Sequence, residues 1–197
     1  MTYSTPSRAI VDLDAYAHNL DVVRRFVGAQ VGILAVVKAD AYGHGMVPIA
    51  WRALECNVRM LGVATVQEAI ALREAGIDAP ILLLVQPEME ALPLVIQHGL
   101  RPVVCNAATA ERLGELAHKA NRVVPIHCKV DTGMGRQGFA LDTAAKDIQY
   151  ITRISHIDIE GIATHFPIAE QPEDSFTYEQ LKAFKHLLKQ LDKAGIP

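Results

Sequence analysis

"AVVKADAYGHG", Ala35–Gly45, is the stretch on which the reading turns. An apolar run climbs to one lysine, Lys38, then breaks into a loop carrying Asp40, Tyr42, His44 and two glycines. A lysine where a strand meets water is ordinarily solvated. At the floor of a pocket the same residue is a reactive amine: beside apolar walls it loses hydration, its pKa falls, and the neutral nucleophile becomes available.

Outward from this stretch, short apolar runs alternate with amphipathic ones. "VGILAVV" is followed by "MVPIAWRAL", in which Met46, Ile49, Ala50, Ala53 and Leu54 share a helical face. "MLGVA" leads to "TVQEAIALREAG", where Thr65 and Glu68 form a capping box and Gly76 stands at a helix end. "ILLLV" precedes a short helical piece around Pro93, and "RPVVC" precedes "NAATAERLGELAHKA" with Asn106 as N-cap. "VVPIHCKV" comes before a Gly-rich loop and a helix near "TAAKDIQYITRI". "IDIEGIATHF" comes before "YEQLKAFKHLLKQLDKAG", with Leu181, Phe184, Leu188 and Leu191 at helical spacing. The pattern predicts six strand–helix units, preceded by a strand "AIVDLD" and a helix "AYAHNLDVVRRFV".

Runs apolar throughout predict strands covered on both faces, hence a parallel sheet. An open doubly wound sheet and a (β/α)8 barrel both fit. A full barrel takes about 250 residues and eight units, so 197 residues ending directly after a helix favour the open sheet on length alone.

Composition bounds the rest. Half the residues are apolar and the net charge is −3, which describes a soluble globular chain with one sizeable core. No basic stripe points to nucleic acid or an anionic membrane. "MTYSTPSRAI" has no charged region followed by an apolar stretch, so no secretory leader is expected, and no apolar run approaches a membrane span. Cys56, Cys105 and Cys128 are odd in number and widely spaced, which suggests reduced core thiols in a cytosolic protein. The histidines are scattered, with no metal-ligand spacing. His44 reads as a loop or capping residue, and His18, His98, His118 and His186 as solvated helical ones.

In both architectures ligands gather at the carboxyl ends of the strands. There the sequence places Lys38 with Tyr42 just beyond, then Lys129 and Asp131 with "TGMGR" delivering Arg136, then His165. Charged residues from three units converging on one mouth argue for a site. A pocket lysine condenses with an aldehyde, most obviously that of pyridoxal phosphate, and later carries a proton. Tyr42 is spaced to meet a phosphate, with amides of "GHG" at the next helix start helping. Arg136, after glycines that permit a tight turn, offers a planar fork to a phenolate or carboxylate. Asp40 and Asp131 read as loop organisers, Asp131 through backbone N–H groups.

"AVVKADAYGHG" resembles the cofactor-attachment signature of bacterial alanine racemases. "KVDTGMGRQGF", "IEGIATHF" and "IVDLDAYAHNL" resemble three further segments of that family, so the similarity runs from about Arg8 to the end. The resemblance implies an α/β fold of (β/α)8 type, incomplete, with about six of its eight units present. Residues 1–197 would be part of the N-terminal cofactor-binding barrel, without the family's second, mostly β domain. It implies interconversion of L- and D-alanine with pyridoxal 5'-phosphate, in a cytoplasmic homodimer supplying D-alanine for peptidoglycan. Lys38 would carry the cofactor covalently and act as one of two bases. Tyr42 would bind its phosphate, Arg136 its phenolic oxygen and the substrate carboxylate, and Leu83 would pack on its ring. Lys129 matches a lysine often carbamylated in the family, then an anion holding Arg136. His165 would lie in the cofactor's outer shell. The second base, a tyrosine from the partner subunit, and the rest of the phosphate cup are not in these residues. The resemblance therefore predicts that this stretch alone, holding one base, is inactive as a racemase and folds poorly.

The alternatives are other pyridoxal phosphate barrels. A serine or basic amino-acid racemase would share every residue quoted; a basic amino-acid decarboxylase would share the strand-end lysine, but "KVDTGMGR" with "THF" looks more racemase-like, and a non-catalytic cofactor carrier would match the lysine loop less well.

Overall fold

A computed structural model describes residues 9–171 and 173–196. Residues 1–8 of the stretch weighed for a leader, residues 1–10, lie outside the described residues, as do Pro172 and Pro197. The chain divides into two compact units, one ending at Leu84 and one beginning at Val85.

The first unit opens with α1 (Leu13–Val27). Its N-cap is Asp12, whose carboxylate accepts from the amides of Asp14 at 2.9 Å and Ala15 at 3.0 Å. The strand expected at "AIVDLD" does not form. Its last two residues are already the first helical turn, and residues 9–12 have no regular structure. The cap sets the boundary: Asp12 accepts from the amides of Asp14 and Ala15 and starts the helix two residues before the expected strand would end. Three parallel strands follow, β1 (Leu34–Val36), β2 (Met60–Val63) and β3 (Ile81–Leu83), in spatial order β1-β2-β3. Ala35, Leu61 and Ile81 stand in register across them. The connectors are α2 (Lys38–Gly43), α3 (Met46–Glu55) and α4 (Val66–Glu74). The face expected for α3 is the one buried, through Ile49, Ala50 and Ala53. The capping box of α4 forms as read, with Thr65 and Glu68 each bonding the other's backbone N–H.

In the second unit a 3-10 turn (Met89–Ala91) leads into α5 (Leu92–Gln97). Then come β4 (Arg101–Val104), α6 (Ala107–Lys119), β5 (Val124–Asp131), β6 (Phe139–Ala140), α7 (Ala144–Ile151), β7 (Ile157–Ala163) and α8 (Phe176–Lys193). Strand β5 pairs in parallel with β4, β7 and the two-residue β6, which the sequence pattern did not announce. Asn106 caps α6, as expected, by accepting from the Thr109 amide at 2.9 Å. Counting each strand with its following helix, and leaving β6 aside, the described residues hold six strand–helix units, their strands parallel within each compact unit.

Strand β7 contains a bulge that matters for the site. Ile157 and Ile159 pair with Val124 and Ile126, but the next pair is Gly161 with His127. Glu160 is therefore the extra residue. Because side chains alternate, the bulge flips the phase: Gly161 and Ala163 share the face of His127 and Lys129, not that of the isoleucines. Gly161 is needed where it is. A Cβ there would lie 2.9 Å from Nδ1 of His127.

The buried stripe of α8 also differs from expectation. Gln180, Leu187 and Leu191 are buried, whereas Leu188 is 38 % exposed. Stepping three or four residues from Leu191 through Leu187 and Phe184 leads to Gln180, so the stripe begins on a polar residue and not at Leu181.

Candidate active site

Strand β1 hands the chain directly to Lys38, the first residue of α2, after Val37 has donated one more ladder bond to the Gly62 carbonyl at 2.8 Å. The turn that follows is left-handed. Ala39, Asp40, Ala41 and Tyr42 have φ of 50, 53, 52 and 57° with ψ of 50, 44, 46 and 35°. Four successive L-residues in this region cost on the order of 4–8 kcal/mol at roughly 1–2 each. Strain of this size persists only where neighbours over-determine it.

Here they do. The Ala39 amide donates to Oε1 of Glu68 at 2.7 Å, and the Ala41 amide to the Val37 carbonyl at 2.9 Å. Asp40 closes the loop as read from sequence: its carboxylate accepts from the Met46 amide at 2.7 Å and its carbonyl from Gly45 at 2.9 Å. His44 caps the turn, its Nδ1–H donating to the Ala41 carbonyl at 2.9 Å. The result sets Nζ of half-buried Lys38 5.8 Å from the ring centroid of Tyr42, which is 61 % exposed. Leu83 is the last residue of β3, buried and paired with Val63.

In the second unit β5 delivers Lys129, buried to 8 % exposure, and Asp131. Oδ1 of Asp131 accepts from the Gly133 amide at 2.9 Å and the Gly135 amide at 3.1 Å, and Oδ2 from the Arg136 amide at 3.0 Å. Partial burial pushes this carboxyl up, but the backbone bonds outweigh it and leave the pKa below the ordinary aspartate value. Asp131 thus fixes the loop, as expected, and the exposed Arg136 side chain leaves from a held backbone. His165, also exposed, follows β7 at the matching end of the sheet.

Further down the Lys129 face, Glu160 accepts from Arg101 Nε at 2.6 Å and lies 3.2 Å from His127 Nε2. Burial raises the Glu160 pKa, and the bonds from Arg101 and His127 more than reverse this, giving a net lowering. The three cysteines are free. Burial pushes Cys105 up to about 11 against the pull of Lys129, and Cys128 up to about 12, so neither is a ready nucleophile.

The structure thus joins Lys38 to Tyr42 through one turn, and Lys129, Asp131 and Arg136 through one strand and its loop. It adds two residues that the sequence reading did not place at the site. Glu68 was legible only as a helix cap, and Gln180 was hidden by the shifted register of α8. A polar residue three or four positions before an apolar stripe was the available signal for Gln180.

Comparison with known proteins decides the family. The sequence family described as "Alanine racemase, N-terminal domain" matches residues 11–197. The chain belongs to the alanine racemase family. The alanine racemase of Halothermothrix orenii is 40 % identical over 191 residues, covering 97 % of this chain and 50 % of that protein. The alanine racemase of Clostridium difficile 630 in complex with cycloserine superposes with a TM-score of 0.91 at 34 % identity, over 94 % of this chain and 51 % of that one. The Bacillus anthracis alanine racemase with bound L-Ala-P gives 0.86 at 32 % identity, over 95 % and 48 %. The chain therefore spans about half the length of the curated relatives it matches. These superpositions settle the architecture left open by length: the fold is the α/β barrel of the alanine racemase N-terminal domain, not an open doubly wound sheet. Among the described residues no helix is long and apolar enough to cross a membrane.

Proposed function

We propose that residues 1–197 belong to the pyridoxal 5'-phosphate-binding barrel domain of an alanine racemase that interconverts L- and D-alanine. The observation that carries this is the strand-end amine of Lys38, presented by a strained left-handed turn in a chain of the alanine racemase family. The side chains fit the cofactor by chemistry. Lys38 offers a primary amine to its aldehyde, Tyr42 a hydroxyl to its phosphate, Arg136 a guanidinium to its phenolic oxygen, and Leu83 an apolar wall. When bound, the cofactor supplies the electron sink that makes an amino acid's α-proton acidic.

The protein's part is to hold and to move protons. Lys38 takes the proton from one face of the α-carbon or returns it there. Arg136 pairs with the substrate carboxylate, which fixes the α-carbon before the amine. Lys129 in carbamylated form is an anion that holds Arg136, and His165 stands in the cofactor's outer shell. Inversion requires a second acid/base group on the opposite face, and we assign it to a partner subunit in a homodimer. Three unpaired thiols suit a reducing cytoplasm, where the product would feed peptidoglycan synthesis.

Borohydride treatment of the cofactor-loaded gene product, followed by peptide mapping, should find the label on Lys38. Chiral chromatography should then show L-alanine and D-alanine reaching equilibrium. A label on another lysine would refute the site, and a label without racemisation would mark a non-catalytic cofactor protein.

A further inference from the structure

Gln180 occupies a position where the rest of the α8 stripe is apolar, and it is 1 % exposed. Its Nε2 donates to Oγ1 of Thr132 at 3.3 Å and to the carbonyl of His165 at 3.2 Å. Thr132 Oγ1 in turn lies 2.8 Å from Oγ1 of Thr164. One buried amide therefore ties the residue after the end of β5 to the second residue after the end of β7, and the Thr132 and Thr164 hydroxyls join the same two strand ends directly. The same helix braces the next residue too. Gly133 has φ +136°, and a Cβ there would lie 3.0 Å from Cζ of Phe176 on the first turn of α8.

A fold seeking stability alone would not place glutamine here. A buried amide must recover its desolvation through hydrogen bonds. Gln180 recovers only half: its Oε1 is buried with no hydrogen-bond partner among the described residues, as is Oγ1 of Thr177 one turn earlier. A methionine of similar length would fill the space without that cost. What a methionine cannot do is hold two strand ends together, and both ends lead into the site. Thr132 begins the loop whose amides Asp131 collects and which carries Arg136, while His165 is itself a site residue.

We propose that Gln180 is a positioning residue that sets the Arg136 loop against the His165 segment. The proposal rests on the racemase reading for its kinetic consequences, but not for its structural one. Gln180→Met and Thr132→Val should be made singly and together in the full gene product loaded with pyridoxal phosphate. Each single variant should lower kcat about tenfold, the size expected when a supporting contact of a site is lost. The visible circular dichroism of the bound cofactor should change while the thermal midpoint moves by only a few degrees. The double variant should lose less than the product of the two single losses, because both remove the Gln180–Thr132 bond, while Gln180→Met alone also removes the bond to His165 and Thr132→Val alone the contact with Thr164. Without reference to activity, hydrogen exchange at the amides of residues 133–138 should quicken in Gln180→Met.

Unchanged exchange, or effects that multiply in the double variant, would overturn the proposal. So would a loss of thermal stability with kcat and the dichroism intact. If Gln180→Met fails to fold, Thr132→Val carries the same exchange and dichroism tests. A wild-type protein that neither binds cofactor nor racemises alanine would instead sink the racemase reading and leave the exchange result standing.

Discussion

Glu68→Ala is the most informative single perturbation, because one carboxylate does two jobs. Oε2 accepts from the amides of Ala64 at 2.7 Å and Thr65 at 3.1 Å, at the start of α4. Oε1 accepts from Ala39 at 2.7 Å, at the start of the left-handed turn. Removing the side chain strands three amides. Charge-assisted bonds to backbone are worth about 1.5–3 kcal/mol when buried. The Ala39 and Thr65 residues are exposed and Ala64 is half-buried, so water recovers part of each, leaving about 1 kcal/mol apiece and about 3 in total. For a chain of this size that is a drop of roughly 6–12 °C in Tm. Thr65→Ala is the control. It removes only the bond that Thr65 Oγ1 accepts from the Glu68 amide at 3.2 Å, a cap worth about 1 kcal/mol. Glu68→Gln, keeping one acceptor oxygen, should fall between. Urea denaturation at constant m-value measures all three. If Glu68→Ala costs no more than Thr65→Ala, the carboxylate is only a cap and the bridge to the lysine turn contributes nothing.

Three further outcomes are expected. Asp131 has a lowered folded-state pKa, so the stability it contributes is complete above the unfolded value near 4 and is lost as pH falls through the lower folded value; Asp131→Asn should lower Tm at pH 7 and flatten its fall below about pH 4, and an unchanged acid limb would count against the loop bonds. Gly161→Ala should destabilise by about 1–3 kcal/mol because its methyl meets His127, and His127→Ala in the same protein should relieve most of that, both read from thermal unfolding. Cys105 and Cys128, raised to about 11 and about 12, should resist a thiol reagent at pH 8 in the native state and react promptly in urea, as peptide mapping of the labelled protein would show.

The strand–helix rhythm was legible because parallel strands covered by helices are apolar throughout, and because Thr65, Asn106 and Gly76 mark boundaries by local chemistry. The resemblance of "AVVKADAYGHG" then located Lys38 and Tyr42. What stayed hidden is non-local. Four non-glycine residues give no sign of a left-handed turn, and one of the bonds that hold it comes from Glu68, 29 residues on from Ala39. The bulge at Glu160 was visible only as a slip in spacing from Ile157 and Ile159 to Ile162, and an unbroken apolar reading of the strand conceals such a slip. "AIVDLD" misled because alternating apolar residues look like a strand until the capping role of Asp12 is weighed.

The two units use the same device beside their lysines. In the first, Glu68 gathers the amides of Ala39, Ala64 and Thr65; in the second, Asp131 gathers those of Gly133, Gly135 and Arg136. The alternative way to steady a strand-end loop is a salt bridge, and it would consume a cation. Backbone amides steady a carboxylate through fixed dipoles instead and leave the cations unspent. Consistent with this, neither Lys38 nor Arg136 forms a salt bridge among the described residues, and Lys38 instead lies over the Tyr42 ring. For the cofactor site proposed above, that separation of tasks is an advantage: Glu68 and Asp131 hold backbone, and Lys38 and Arg136 are left to meet a ligand. Replacing Asp131 by asparagine should therefore loosen the loop without releasing a cation, and the affinity for pyridoxal phosphate should fall, not rise. A rise would mean that Asp131 had been restraining Arg136 by charge, and the division of labour argued for here would be wrong.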